Sequence, residues 1–157
     1  MSAVQPATPT TPKTVSRPQP RPKIRARLEA ADPNLLVRLA LRLDAIVTGA
    51  NGVAYLAAAG LLDGPLGVEA ATLRPIGAFL IVYAIAVALV SRPERPSPAA
   101  VRVVIAANAI WAADSLIVLI GGWLDPTTGG AVWIALQALV VAGFAGLQTA
   151  ALRNARR

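Results

Sequence analysis

The chain has 157 residues, 55% of them hydrophobic and only 4% aromatic, with a formal net charge of +7 and a mean hydropathy of +0.58. These values suit a bilayer better than an ordinary soluble domain. With neither cysteine nor histidine, the chain lacks a disulfide framework, a thiolate nucleophile, the commonest metal ligand and the commonest general base. No metal, cofactor or enzymatic activity is expected.

Residues 1–34 carry Pro6, Pro9, Pro12, Pro18, Pro20 and Pro22 among Thr, Ser and basic residues, a composition that blocks regular helix. This stretch is expected to be a disordered, basic cytoplasmic tail. Its Lys13, Arg17, Arg21, Lys23, Arg25 and Arg27 would meet anionic lipids of the inner leaflet, each basic residue contributing about 1 kcal/mol near the surface.

Order is expected from "ADPNLLVRLALRLDAIV", where Asp32 can cap a helix whose first turn accepts Pro33. Arg38 and Arg42 share one face of its amphipathic start and should snorkel to lipid phosphate. The helix then runs into a first span over residues 43–62. Gly and Pro in "DGPLGVEAATLRP" break the pattern before a second span over 73–91. "RPERPSP" turns the chain into a third span over 100–123, and "DPTTGG" into a fourth over 131–152, leaving the basic end 153–157. The second apolar run, 76–91, is short for a bilayer core at about 24 Å and is expected to borrow residues from Ala70 onward despite Arg74 and Pro75. The expectation is an all-α, four-helix transmembrane bundle over 35–152 in up-down-up-down order with short loops.

The cations fix an orientation. Of the fifteen Lys and Arg residues, Arg74 alone falls on the side that carries Asp63, Glu69 and Asp125, so both termini are expected in the cytoplasm. Charges at span ends are a membrane protein's flanks, and no nucleic-acid partner is expected. Helices in lipid associate through close approach of small residues. The faces expected to pack are Ala50, Ala54, Ala57 and Ala58 in the first span, with Gly49 and Gly52 beside them. The fourth span offers Ala131, Ala135, Ala138, Ala142, Ala145 and Thr149.

Polar residues inside the spans are the candidates for function. Asp44, Thr48, Asn51 and Tyr55 recur at helical spacing on the first span. Asp44 is placed near the inner boundary, in an ion pair with Arg102. Counting inward from the span ends brings Asp114, Tyr55, Tyr83 and Gln137 to mid-membrane, one from each helix, with Asn51 and Asn108 as a second level nearer the cytoplasm. A carboxyl at that depth must be protonated, hydrogen-bonded or beside water. It can be polar glue between helices, or the titrating group of a small proton-coupled transporter. With one deep carboxylate and no pair for acid–base work, the favoured role is a non-enzymatic membrane component that packs with itself or with a membrane partner.

"LRLDAIVTGANGVAYLAAAGLL", "NAIWAADSLIVLIGGWL" and "TGGAVWIALQALVVAGFAGLQ" resemble the small four-span integral membrane proteins of high-GC actinobacteria, and more loosely the DoxX-type four-helix membrane proteins. The resemblance covers about residues 35–152. It implies a four-span topology in a bacterial cytoplasmic membrane and carries no residue role.

Overall fold

The structure, a computed structural model, describes residues 32–156, and the basic tail expected over 1–34 lies almost wholly outside them. The described residues form five helices and no strand: α1 Leu35–Ala57, α2 Ala59–Leu66, α3 Ala70–Val90, α4 Pro98–Ile120 and α5 Thr128–Asn154. Three of these, α3, α4 and α5, are long and apolar enough to cross a membrane. A fourth crossing is reached if α1 and α2, bent by 95° at Ala58, count as one span.

That bend corrects the expected first span. The amphipathic start and the apolar run form one continuous helix, as expected, but it begins at Leu35 and ends at Ala57 instead of running on to 62. At 1.5 Å per residue its 23 residues cover about 34 Å. The remaining apolar residues turn aside as α2. The other spans shift by a few residues at each end, as helix boundaries generally do.

α1 packs along α3, and α4 packs along α5; the two antiparallel pairs meet mainly through α1 against α5, while α3 barely touches α4. The intimacy of the first pair comes from glycine. A Cβ on Gly52 would lie 2.9 Å from the Gly77 carbonyl oxygen, and one on Gly77 would lie 2.8 Å from that of Gly52. The two backbones therefore touch where these glycines cross. The alanine face expected on the first span does not pack, since Ala50, Ala54 and Ala57 are exposed. On α5 the expected face divides: Ala138 and Ala145 are buried, whereas Ala142 is exposed.

At the end opposite the basic loops, α2 is pinned to the start of α5. The Thr127 hydroxyl donates to the Pro65 carbonyl (2.6 Å) and accepts from the Gly130 amide (3.0 Å), and the Thr127 amide donates to the Leu66 carbonyl (3.1 Å). Thr127 thus caps α5 and ties it to α2 at once. Gly130 sits so close to Leu66 that any Cβ would overlap its carbonyl. Gly67 ends α2 in the left-handed region at φ 64°, where glycine is the residue without a steric cost.

The buried core divides correspondingly. Val37, Leu41, Val87, Val101, Val104, Ala151 and Leu152 form a cluster toward the basic end. Ala59, Val68 and Leu73 form a smaller one beneath α2.

Candidate functional site

Among these apolar groups sits a polar cluster drawn from all four long helices. Asp44 of α1 and Gln148 of α5 are each 0% exposed, and Asn108 of α4 is 3% exposed. The Asp44 carboxylate receives three hydrogen bonds. Thr48 donates its hydroxyl to Oδ1 at 3.0 Å, while Asn108 Nδ2 and Gln148 Nε2 both donate to Oδ2 at 2.7 Å. Tyr83 of α3 closes the cluster, its hydroxyl donating to Asn108 Oδ1 at 2.9 Å. Asn108 Nδ2 also reaches Gln148 Oε1 at 3.3 Å.

The local geometry follows from spacing. Asp44 and Thr48 are one turn apart, so the hydroxyl of the second reaches the carboxylate of the first. On α4 the buried residues Val101, Val104, Asn108 and Ala112 make an i, i+3, i+7, i+11 stripe, which aims Asn108 at the centre. At 1.5 Å per residue Asp44, Tyr83, Asn108 and Gln148 lie about 9–15 Å inward from the basic ends of their helices. A buried polar group needs partners, and this cluster supplies them in full: the buried polar side-chain atom without a partner among the described residues is Arg38 Nε, outside it.

A second rung continues along α1 and α5. Asn51 Nδ2 donates to Gln137 Oε1 at 2.8 Å, and one turn further Trp133 Nε1 donates to the Tyr55 hydroxyl at 2.7 Å. The stripe expected on the first span, Asp44, Thr48, Asn51 and Tyr55, is therefore the α1 side of an antiparallel polar seam. Gln148, Gln137 and Trp133 form the α5 side.

Several expected groupings are corrected. Asp114 does not join Tyr55, Tyr83 and Gln137; it is exposed. It lies two residues beyond buried Ala112, a rotation of about 200° at 3.6 residues per turn, and so points away from the helices packed against α4. Its neighbours one turn away, Ile110 and Ile117, are also exposed. Asn51 and Asn108 do not share a level, because Asn108 bonds to Asp44 and Asn51 to Gln137. Nor does Asp44 pair with Arg102. Asp44 is 0% exposed and takes its hydrogen bonds from Thr48, Asn108 and Gln148 instead. Arg102 is exposed. Of the two arginines expected at lipid phosphate, Arg42 is exposed, while Arg38 is partly buried and lies 3.6 Å from Asp32. Gln148 was not among the expected site residues. Its signal was its place eleven residues after Gln137, three turns along the same face of α5.

The loose contact between α3 and α4 is filled by aromatic rings. Phe79 stacks on Trp111 at 5.5 Å and on Tyr83 at 6.3 Å between ring centroids. Beside them lies a cavity of about 50 Å³ bounded by Thr48, Tyr83, Asn108 and Trp111. A larger one, about 100 Å³, extends from Thr48 past Asn51 and Gln137 to Val68 and Leu124 near the α2 end. The two share Thr48, Leu80, Trp111 and Val141 as walls. Their size and polar rims are adequate for water.

What this arrangement can do chemically is bounded by its residues. It holds a carboxylate with hydrogen-bond donors around it and no second acid beside it. Compared with protein-family models, curated proteins and solved structures, the chain finds no match.

Proposed function

We propose that the chain is a four-crossing integral membrane protein with both termini on the cytoplasmic side of a bacterial membrane, and that it is a non-enzymatic component which associates with another transmembrane chain. The crossings are α1, α3, α4 and α5, in up-down-up-down order, with α2 lying along the outer surface. Support for the orientation comes from Arg92, Arg95, Arg102, Arg153 and Arg156 at one end of the helices and Asp63, Glu69 and Asp125 at the other.

The observation that carries the role is the contrast between the two aspartates of the long helices. Asp44 is saturated by donors from its own chain, which makes it a fastening between helices. Asp114 has no such partner among the described residues and faces outward from α4 between exposed isoleucines. A charged side chain near the middle of a span costs about 2.5–3.5 kcal/mol on insertion scales. About 9 Å from the end of α4, Asp114 bears part of that cost, and a donor on a neighbouring chain relieves it.

Cysteine crosslinking tests the proposal against a clean background, since the chain has no cysteine. Ala113→Cys and Ile117→Cys should form covalent adducts in native membranes with a second copy or a distinct protein, and Asp114→Leu should reduce them several-fold. Only monomers at both positions would refute it.

Transport is the second reading, and the cavities favour it. It would use Asp44, reached through Thr48 and Asn51 from the α2 end. Asp44→Asn should then abolish proton-coupled flux in proteoliposomes while Asp114→Asn leaves it intact.

A further inference from the structure

At the basic end, α4 and α5 leave a groove of about 320 Å³ between them, lined by Arg102, Arg153 and Arg156 with Leu152 beside them and, deeper along the helices, by Ile105, Ala106 and Thr149, whose hydroxyl is turned to its own helix. Three arginines line the groove and no acidic side chain does, and none of the three is in an ion pair among the described residues. Like charges gathered with no counterion among the described residues raise one another's energy, and an anion seated among them removes that cost. Guanidinium groups match phosphate oxygens by paired, planar hydrogen bonding.

The groove is two-sided in chemistry. Its arginine part lies at the helix ends, and its apolar part continues into the span. A free phosphate would use the first part and leave the second empty. A phosphodiester headgroup with acyl chains attached would fill both, its phosphate among the arginines and a chain past Leu152 along Ile105 and Ala106. We infer that this groove is a binding site for an anionic phospholipid, held by Arg102, Arg153 and Arg156. Basic pockets between helices on the cytoplasmic side take such headgroups. The inference rests on the four-crossing reading above, which puts these arginines at the membrane surface.

The site differs from the general attraction of basic flanks for a charged membrane. Arg92 and Arg95 carry charge at the same end, yet neither of them lines the α4–α5 groove. They provide the control.

The test uses the full chain purified in neutral detergent, titrated with phosphatidylglycerol or with phosphatidylcholine and examined by native mass spectrometry, with circular dichroism on every variant to verify the fold. The wild type should retain phosphatidylglycerol in preference to phosphatidylcholine. The triple variant R102Q/R153Q/R156Q should bind phosphatidylglycerol on the order of 100-fold more weakly, from the contribution of three surface arginines. R92Q/R95Q should bind as the wild type does, whereas R102Q/R153Q, which removes the same charge, should bind roughly 30-fold more weakly; inorganic phosphate at equal concentration should not compete. Equal retention of the two lipids, unchanged binding in the groove variant, or equal loss in the control variant would overturn the inference. Competition by inorganic phosphate would overturn it in favour of a free-anion site. Orientation is tested apart, by labelling Asp125→Cys from the outside of cells, so a failure of the topology is distinguishable from a failure of the site.

Discussion

Replacing Asp44 by leucine should be the most damaging single change among the polar residues of the spans. The substitution conserves bulk but removes the acceptor of three hydrogen bonds. The Thr48 hydroxyl has an alternative, because a threonine in a helix can turn to the main-chain carbonyl four residues back. The buried Asn108 amide keeps a weaker acceptor, Gln148 Oε1 at 3.3 Å, but the Gln148 amide, 0% exposed, has none besides Asp44. One stranded donor and one weakened bond give about 2–4 kcal/mol, at about 1–3 kcal/mol for the stranded group and about 1 for the other. Interhelical hydrogen bonds in membranes average nearer 0.6 kcal/mol, because the unfolded chain in lipid also finds partners; this draws the expectation to about 1–3 kcal/mol. Asp44→Asn should cost only about 1 kcal/mol, as its carbonyl can replace Oδ2 and its amide can face Thr48, whose hydroxyl then accepts. Asp114→Leu should change the stability of the isolated chain by less than about 0.5 kcal/mol, as for a surface site. Reversible unfolding in mixed micelles, followed by circular dichroism, gives all three values. If Asp44→Leu were as stable as the wild type, or Asp114→Leu equally costly, the assignment of the two aspartates would be wrong.

The glycines give sharper geometric predictions. Gly77→Leu should separate α1 from α3 and destabilise by about 1–3 kcal/mol or more, as overpacking does, measured by the same unfolding assay. Gly60 meets nothing within 4 Å of a built Cβ, so Gly60→Ala should be neutral or stabilising by up to about 1 kcal/mol through helix propensity. Gly130→Val should detach α2 from α5, exposing the α2 backbone to faster amide hydrogen exchange; unchanged protection at Leu66 would count against the pinning. Thr127→Val should lose both the cap and the Pro65 contact, at about 1 kcal/mol or more, and lower the thermal midpoint accordingly.

The order and approximate extent of the long helices were legible because apolar runs of some twenty residues separated by Pro, Gly and charge admit few other readings. The polar stripe on α1 was legible too, since Asp44, Thr48, Asn51 and Tyr55 repeat at helical spacing. Which helix it faced was not. Depth counted from span ends places residues on a level but says nothing about rotation, and rotation separates Asn108, turned inward, from Asp114, turned outward. The stripe of Val101, Val104, Asn108 and Ala112 held that information, although in an apolar helix bare of charge contrast it is faint: alanine and valine lie on both faces. The break at Ala58 had only Gly60 as a faint local signal, for the rest of "LAAAGLL" is good helix by propensity. It is fixed by distant contacts, those of Pro65 and Leu66 with Thr127. The packing role of Gly52 and Gly77 was half visible, because a glycine on one helix signals close approach without naming its counterpart.

A double-mutant cycle between Asp44 and Gln148 tests the central claim most directly, namely that Asp44 fastens α1 to the other helices through buried hydrogen bonds. With Asp44→Leu, Gln148→Leu and the double variant unfolded in the same micelles, groups in direct contact at 2.7 Å should show a coupling of about 1 kcal/mol or more. Effects that add within about 0.3–0.5 kcal/mol would mean that the two side chains do not meet, and would contradict the account.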